Sequence, residues 1–476
     1  KVKDLRIAKA STGVYLDRGG APGYFNASDI RFERVTSFSN TTHGFSVSYA
    51  NNASFDGCVA AWNTSYGLVA EHYTIAWRNG VLWENGNGLY SANGWSRSFS
   101  NNVVRQVAGV VYAGYPAQIS GDYNVFDIGS GASFAGTSFA KLVDYQKACN
   151  REWHSAALPA DLSVQGWNDF HPRSATGRYD PASGNWVTDA AHSACIDLGD
   201  PALPFAAEPE PNGGRLNVGS YGNVAEASKS RTNAWLLALT YNEGGMLSGT
   251  GNALYWVGGG LGAEATVKIE YSPDLGATWI LVQGGIPATN GTYAWDVSAL
   301  GPMSCYWRVA SEADPGVWDR NEQQVGVSGG TVAYYVNDAS TNGDVYCTTA
   351  GSGANTGLSP ADPLSDVNEV LAKYAAGAGA TIYVDTGIYT QQVTLRDNDG
   401  GSVSNGYLTI QGSTNRAAGG TLIERNGSGY GLDIRGVSYL KVKDLRIAKA
   451  SRGVYTDSPA NDRLSFERVT SFSNTT

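Results

Sequence analysis

Three acids, Asp56, Glu71 and Glu84, fall among the regularly spaced segments between His43 and Gly121, with Arg78, Arg97 and Arg105 in the same stretch. A calcium-dependent polysaccharide lyase needs several carboxylates converging on the ion and an Arg or Lys base beside them. A glycoside hydrolase needs two carboxyl groups flanking the bond that breaks. These three acids do not recur at one position of the spacing, and no two are adjacent, so neither set is complete. Charged outer faces of strands are the plainer reading, and no catalytic residue is assigned.

Asn337, Asp338, Asn342 and Asp344 fall within eight residues, a carboxylate-and-amide cluster of the type that calcium prefers. Asp338 and Asp344 are the expected metal ligands, with a plain polar turn as the competing reading. Asp397-Asn398-Asp399-Gly400 has a calcium-loop start but lacks the distal Glu. His43, His72, His154, His171 and His192 show no metal-ligand spacing, and Cys58, Cys149, Cys195, Cys305 and Cys347 contain no CxxC pair, so zinc is not expected. The expected disulfides are Cys149–Cys195 and Cys305–Cys347, leaving Cys58 buried and reduced. Trp62, Trp77, Trp83 and Trp95 lie on or near the spaced segments. Outward indoles stack on sugar rings and inward ones form core, so Trp62 and Trp83 are candidate glycan contacts. Asn40, Asn63 and Asn290 are glycosylation sequons.

The chain that positions these residues has 476 residues, 60 of them Gly, 27 Tyr and 13 Trp. That composition suits an all-β protein rich in turns. A net charge of −10 argues against nucleic acid or an anionic membrane as partner. No apolar run approaches the roughly 20 residues of a membrane helix.

One block occurs twice. KVKDLRIAKAS runs from Lys1 to Ser11 and again from Lys441 to Ser451, an offset of 440 (441 less 1). FERVTSFSNTT runs from Phe32 to Thr42 and again from Phe466 to Thr476, an offset of 434 (466 less 32). The length difference belongs on a surface loop. The chain reads as one window of a tandem array with a unit of about 440 residues. On that reading one unit runs from Tyr334 to Thr476 and then from His43 to Val327.

Gly followed by apolar residues recurs at Gly431 and Gly453, and at Gly44, Gly67, Gly88 and Gly109, every 21 to 23 residues within a copy. That is the coil length of a parallel β-helix, whose inward residues stack on those of the next coil about 4.8 Å away. Asn40 and Asn63 precede two of these glycines and are expected at left-handed turn positions. Val367, Val370, Leu371 and Tyr374 have helical spacing behind a Ser365 or Asp366 cap and Glu369. The opening YYVNDAS, GLSPA, this short helix and TIYVDTGIYT resemble the first segment of pectate-lyase-like right-handed β-helix proteins. In that family the segment plugs the open end. The resemblance covers Tyr334–Thr476 and Lys1 to about Ser230. DLRIAK and TTHGF resemble fragments of pectin-hydrolase motifs, and neither motif is complete. Asp122–Ser230 resembles a closing segment of bacterial surface β-helices, with RLNVGSYG expected as a last strand. Trp235–Val327, with VKIEYSPDLGATWILV, alternates as strands do and resembles immunoglobulin- or fibronectin-like sandwiches.

The expected architecture is therefore all-β. Residues 1–230 form a parallel β-helix with its closing segment, residues 231–330 a sandwich, and residues 331–476 the start of the next β-helix with one short capping helix. The expected role is a structural extracellular repeat protein, secreted or at the cell surface, forming a fibre, stalk or layer with itself as partner. A polysaccharide lyase or hydrolase and a glycan-binding adhesin are the alternatives, with extracellular polysaccharide as partner. No cofactor is expected beyond calcium.

Overall fold

The computed structural model describes residues 1–17, 27–92, 94–136, 138–165, 169–300, 303–328, 332–374, 376–377, 379–396, 399–401, 406–456 and 461–475. Most of the loop whose length differs between the copies, residues 329–331 and the Asp397-Asn398 turn lie outside them.

Short strands separated by tight corners stack into parallel sheets, as the spacing predicts. In the first body, one face comprises Val2–Lys3, Arg31–Glu33, Ala53–Asp56, Ile75–Arg78, Arg97–Ser100 and Ile119–Asp122. A second face comprises Arg6–Ala8, Thr36–Phe38, Val59–Ala61, Val81–Trp83, Val103–Val110 and Val125–Ser133. The third comprises Val14–Leu16, Phe45–Val47, Tyr66–Ala70, Asn87–Ser91 and Tyr112–Gly114. Residues in register stack by type. Phe32 pairs with Phe55, Phe55 with Trp77 and Trp77 with Phe99. The Phe32 and Phe55 rings lie 4.9 Å apart and stacked, and those of Phe55 and Trp77 5.2 Å apart. Trp77 is thus an inward core residue.

Asn40 and Asn63 correct the turn expectation. The left-handed residues are their predecessors, Ser39 and Trp62. Asn40, Asn63 and Asn85 are buried and form a side-chain ladder, Nδ2 of each donating to Oδ1 of the next at 2.8 Å. Gly44 is required beside it, because a Cβ there would sit 2.8 Å from Asn63 Nδ2 and 2.7 Å from the Gly67 carbonyl oxygen. Gly109 is not the next rung. Val103–Val110 runs on past a bulge between Gln106 and Ala108, and Tyr112 takes the place opposite Leu89.

The closing segment also differs from expectation. Helix α1 (Leu142–Cys149) closes the coil end, burying Leu142 and Tyr145 against Phe134 and Phe139. RLNVGSYG is not a strand. It lies along the second face, where Val218 joins a cluster with Val59, Val81, Val103 and Val125. Ala227, Ser228 and Ser230, at the end of this segment, are buried.

In the second body the corresponding sheets have five, four and three parallel strands. Helix α2 (Val367–Lys373) forms where expected, with Asp366 accepting from Asn368 N and Glu369 from Ser365 N. Val367, Val370 and Tyr374 are buried in this body's core. The duplicated block adopts one conformation twice. Val2 pairs with Phe32 and Val442 with Phe466. Asp4, Lys9, Arg34 and Ser39 are left-handed, and so are Asp444, Lys449, Arg468 and Ser473. Asn40 Oδ1 accepts from Ala10 N, and Asn474 Oδ1 from Ala450 N.

Between the bodies lies a β-sandwich. One sheet holds Trp235–Ala238, Asn252–Gly259 and Thr292–Trp295. The other holds Met246–Ser248, Val325–Ser328, Met303–Ser311, Thr266–Ser272 and Ile280–Pro287. Leu254, Trp256, Ile269, Trp307 and Val309 fill the space between them. Helix α1 touches both neighbours. Glu243 Oε2 accepts from Leu142 N at 2.8 Å, satisfying a free amide at the positive end of the helix. Lys141 Nζ donates to the Lys373 carbonyl at 2.6 Å, at the negative end of α2. Met246 packs into the core of the second body.

All five thiols are free. The expected pairs are not formed because their members sit in separate packing groups. Cys149 lies at the edge of the coil core and Cys195 in the cluster outside the second face. Cys305 belongs to the sandwich core, and Cys347 Sγ faces the Val336 carbonyl.

Candidate functional site: a cleft at the seam of coil, closing segment and sandwich

A cavity of about 690 Å³ opens where the second face, the closing segment and the sandwich meet. Its floor comes from successive coils. Trp62 and Glu84 occupy left-handed corners, and Trp83 pairs with Arg105, which pairs with Asp127. One coil therefore separates Glu84, Arg105 and Asp127, and the three side chains meet. Arg105 Nε donates to Glu84 Oε1 at 3.0 Å and Nη1 to Asp127 Oδ1 at 2.7 Å. Burial works against the Arg105 charge, but these two carboxylates hold its pKa above the ordinary range. Its guanidinium lies 5.5 Å from the Trp83 ring centre.

The walls come from the closing segment and the sandwich. Phe170 wedges between the indoles, 5.8 Å from each. Trp83 keeps 7% of its surface exposed, while Trp62 is half-buried. Asp127 Oδ2 accepts from Ala160 N, fixing that wall to the coil at 3.1 Å. Asp161 faces Arg173 at 3.1 Å. Arg231 spreads over Trp235 at 4.6 Å, and its Nη1 is buried without a hydrogen-bond partner. Burial lowers its pKa. Burial and then Arg231 lower that of His192 in the same wall. Leu237 and Glu322 of the sandwich complete the rim.

The structure brings Trp62 and Trp83 to one cleft together with Glu84 and Arg105, and disperses the other acids and the calcium candidates. Asp56 meets Arg78 and Asn79, whereas Glu71 accepts from Ser48 Oγ. Asp338 accepts from Ser340 N and Ile388 N, and Asp344 from Asn337 Nδ2. Beside them Asp385, buried and not anticipated, takes the amides of Val345, Tyr346 and Cys347 at 2.6–2.7 Å. Among the described residues no three His, Cys, Asp or Glu side chains converge as a metal site. Asn40 and Asn63 are buried, so neither presents its amide to a glycosylating enzyme.

Asp127 and Arg231 are site residues that the sequence analysis does not name, and Arg105 enters it only as a base for lyase chemistry. Arg105 and Asp127 carried a signal, since Glu84, Arg105 and Asp127 lie 21 and 22 residues apart. Arg231 and Glu322 carried none, because only tertiary packing brings them to the coils. No protein-family model, curated protein or solved structure matches the chain.

Proposed function

We propose that the chain is part of a structural, extracellular repeat protein whose tandem units form a stiff rod. What supports this is the complementarity of the two copies. Leu5 is 44% exposed, but its repeat Leu445, beneath the preceding coil, is 1% exposed. Phe466 is 41% exposed, but its repeat Phe32, covered by the following coil, is 4% exposed. Each copy holds the coil that the other needs. Joined through the shared strand, the five strands of the second body's first sheet and the four that follow Arg31–Glu33 make nine rungs. At ~4.8 Å per rung they extend roughly 40 Å.

The joints support stiffness. Helix α1 takes a cap from the sandwich through Glu243 and gives a cation to α2 through Lys141. Units held at two sides of one helix cannot swing as beads on a free linker do. Secretion or display at the cell surface, with other copies of the unit as neighbours, goes with this role. Small-angle scattering from a chain of three units tests it. A rod-like profile with length proportional to unit number is expected, and the profile of a compact or freely jointed particle would overturn it.

A further inference from the structure

We infer that the cleft floored by Trp62, Glu84 and Arg105 is a binding site for a short, uncharged oligosaccharide. A sugar ring presents an apolar C–H face and a rim of hydroxyls, each both donor and acceptor. The cleft matches both halves. Trp62 and the exposed edge of Trp83 supply apolar aromatic surface. Glu84 and Asp127, each bonded to Arg105, supply fixed acceptor oxygens that need no rearrangement on binding. Arg231, whose Nη1 is buried without a hydrogen-bond partner, lines the same cleft as a further donor side chain. The volume of about 690 Å³ lies within the usual range of small-ligand clefts.

Charge selects against ionic ligands. Arg105 is matched by two carboxylates, and Asp161 by Arg173. The lining sets four carboxylates, Glu84, Asp127, Asp161 and Glu322, against two guanidinium groups, Arg105 and Arg231, so an entering anion meets a net negative wall. A cation finds the two carboxylates nearest the indoles already engaged by Arg105. The inference does not depend on the rod, because every residue it uses lies between positions 62 and 322.

Titration of the whole chain, followed by tryptophan fluorescence and calorimetry, tests it. The probes are neutral β-1,4-linked pentasaccharides of glucose and of N-acetylglucosamine, with a galacturonate pentasaccharide as the charged comparison. At least one neutral probe is expected to saturate, with the charged probe at least tenfold weaker. Glu84→Gln and Arg231→Gln, titrated well below each variant's own melting temperature, are each expected to weaken binding tenfold or more. Trp62→Phe, which keeps an aromatic ring against Phe170, should weaken it less. The inference is overturned if neither neutral probe binds at millimolar concentration, if the galacturonate binds better, or if both polar variants bind like the parent.

Discussion

Replacing Asn63 by Ala removes the centre of the asparagine ladder. Asn63 is 1% exposed. Its Oδ1 accepts from Asn40 N at 3.1 Å and from Asn40 Nδ2 at 2.8 Å, and its Nδ2 donates to Asn85 Oδ1 at 2.8 Å and to the Ser37 carbonyl at 3.3 Å. The truncation breaks four bonds and strands polar groups in a dry interior. Each net bond contributes about 1 kcal/mol, and each stranded buried group costs 1–3 kcal/mol, so after relaxation the loss should be about 4 kcal/mol. Ser98→Ala, on the exposed side of the first face, should stay within about 0.5 kcal/mol. Because stacked coils need not unfold in one step, hydrogen exchange at the Asn40 amide should accompany urea denaturation. Asn63→Asp adds a test of sign. Its second carboxyl oxygen must face the Asn85 and Ser37 acceptors, so the folded state favours the protonated acid and raises its pKa. Stability should then be largest below the unfolded pKa of about 3.9 and fall as pH rises through the folded value. The reasoning fails if Asn63→Ala costs under 1 kcal/mol with Asn40 exchange unchanged, or if Asn63→Asp gains nothing in acid.

Further outcomes follow from the same structure. Burial pushes Glu152 up to about 7, against the pull of donors from Ser155, Asn124 and Tyr112. Parent stability should therefore fall between about pH 4.5 and 7, by up to roughly 3 kcal/mol relative to Glu152→Gln, and a pH-independent difference between the two melts would refute this. Without reductant, denatured protein should titrate with five thiols. In the native state half-buried Cys149 should react first, because burial pushes Cys58, Cys195 and Cys305 up to about 12, and a disulfide-linked peptide in a mass map would contradict this order. Burial likewise pushes Glu243 up to about 7, against the pull of the Leu142 amide, so the joint should loosen relative to Glu243→Gln as pH rises from about 4.5 to 7, and exchange at the Leu142 amide that differs between the two by a pH-independent factor would refute this. With calcium present, pectate and alginate should remain uncleaved, and release of unsaturated or reducing ends that disappears in Glu84→Gln would overturn the structural reading.

The coils were legible because their signal is local and repeated: one Gly-apolar step per turn, aromatic on aromatic. Helix α1 was not, since its cap residue Lys141 has no side-chain hydrogen bond to the helix and the acceptor is Glu243, far along the chain. The asparagine ladder was visible as spacing but was read as turn chemistry, because burial on a closed coil cannot be inferred from Asn40 and Asn63 alone. The closing segment follows no period, and its path along the second face is set by contacts such as Val218 against Val103. In the cleft, Trp62 and Trp83 stood out by type, but the pairing of Glu84, Arg105 and Asp127 follows from strand register, and Arg231 from tertiary packing.

The rod stands or falls on whether the coil continues through the shared strand. A density map of a chain containing two full periods measures this directly. The account predicts that Phe466 pairs with the next copy's equivalent of Phe55, in the register that Phe32 holds with Phe55 in the first copy. It also predicts unbroken parallel sheets from α2 to the next α1. A break at Phe466, or coils of the next copy folded back elsewhere, would contradict it.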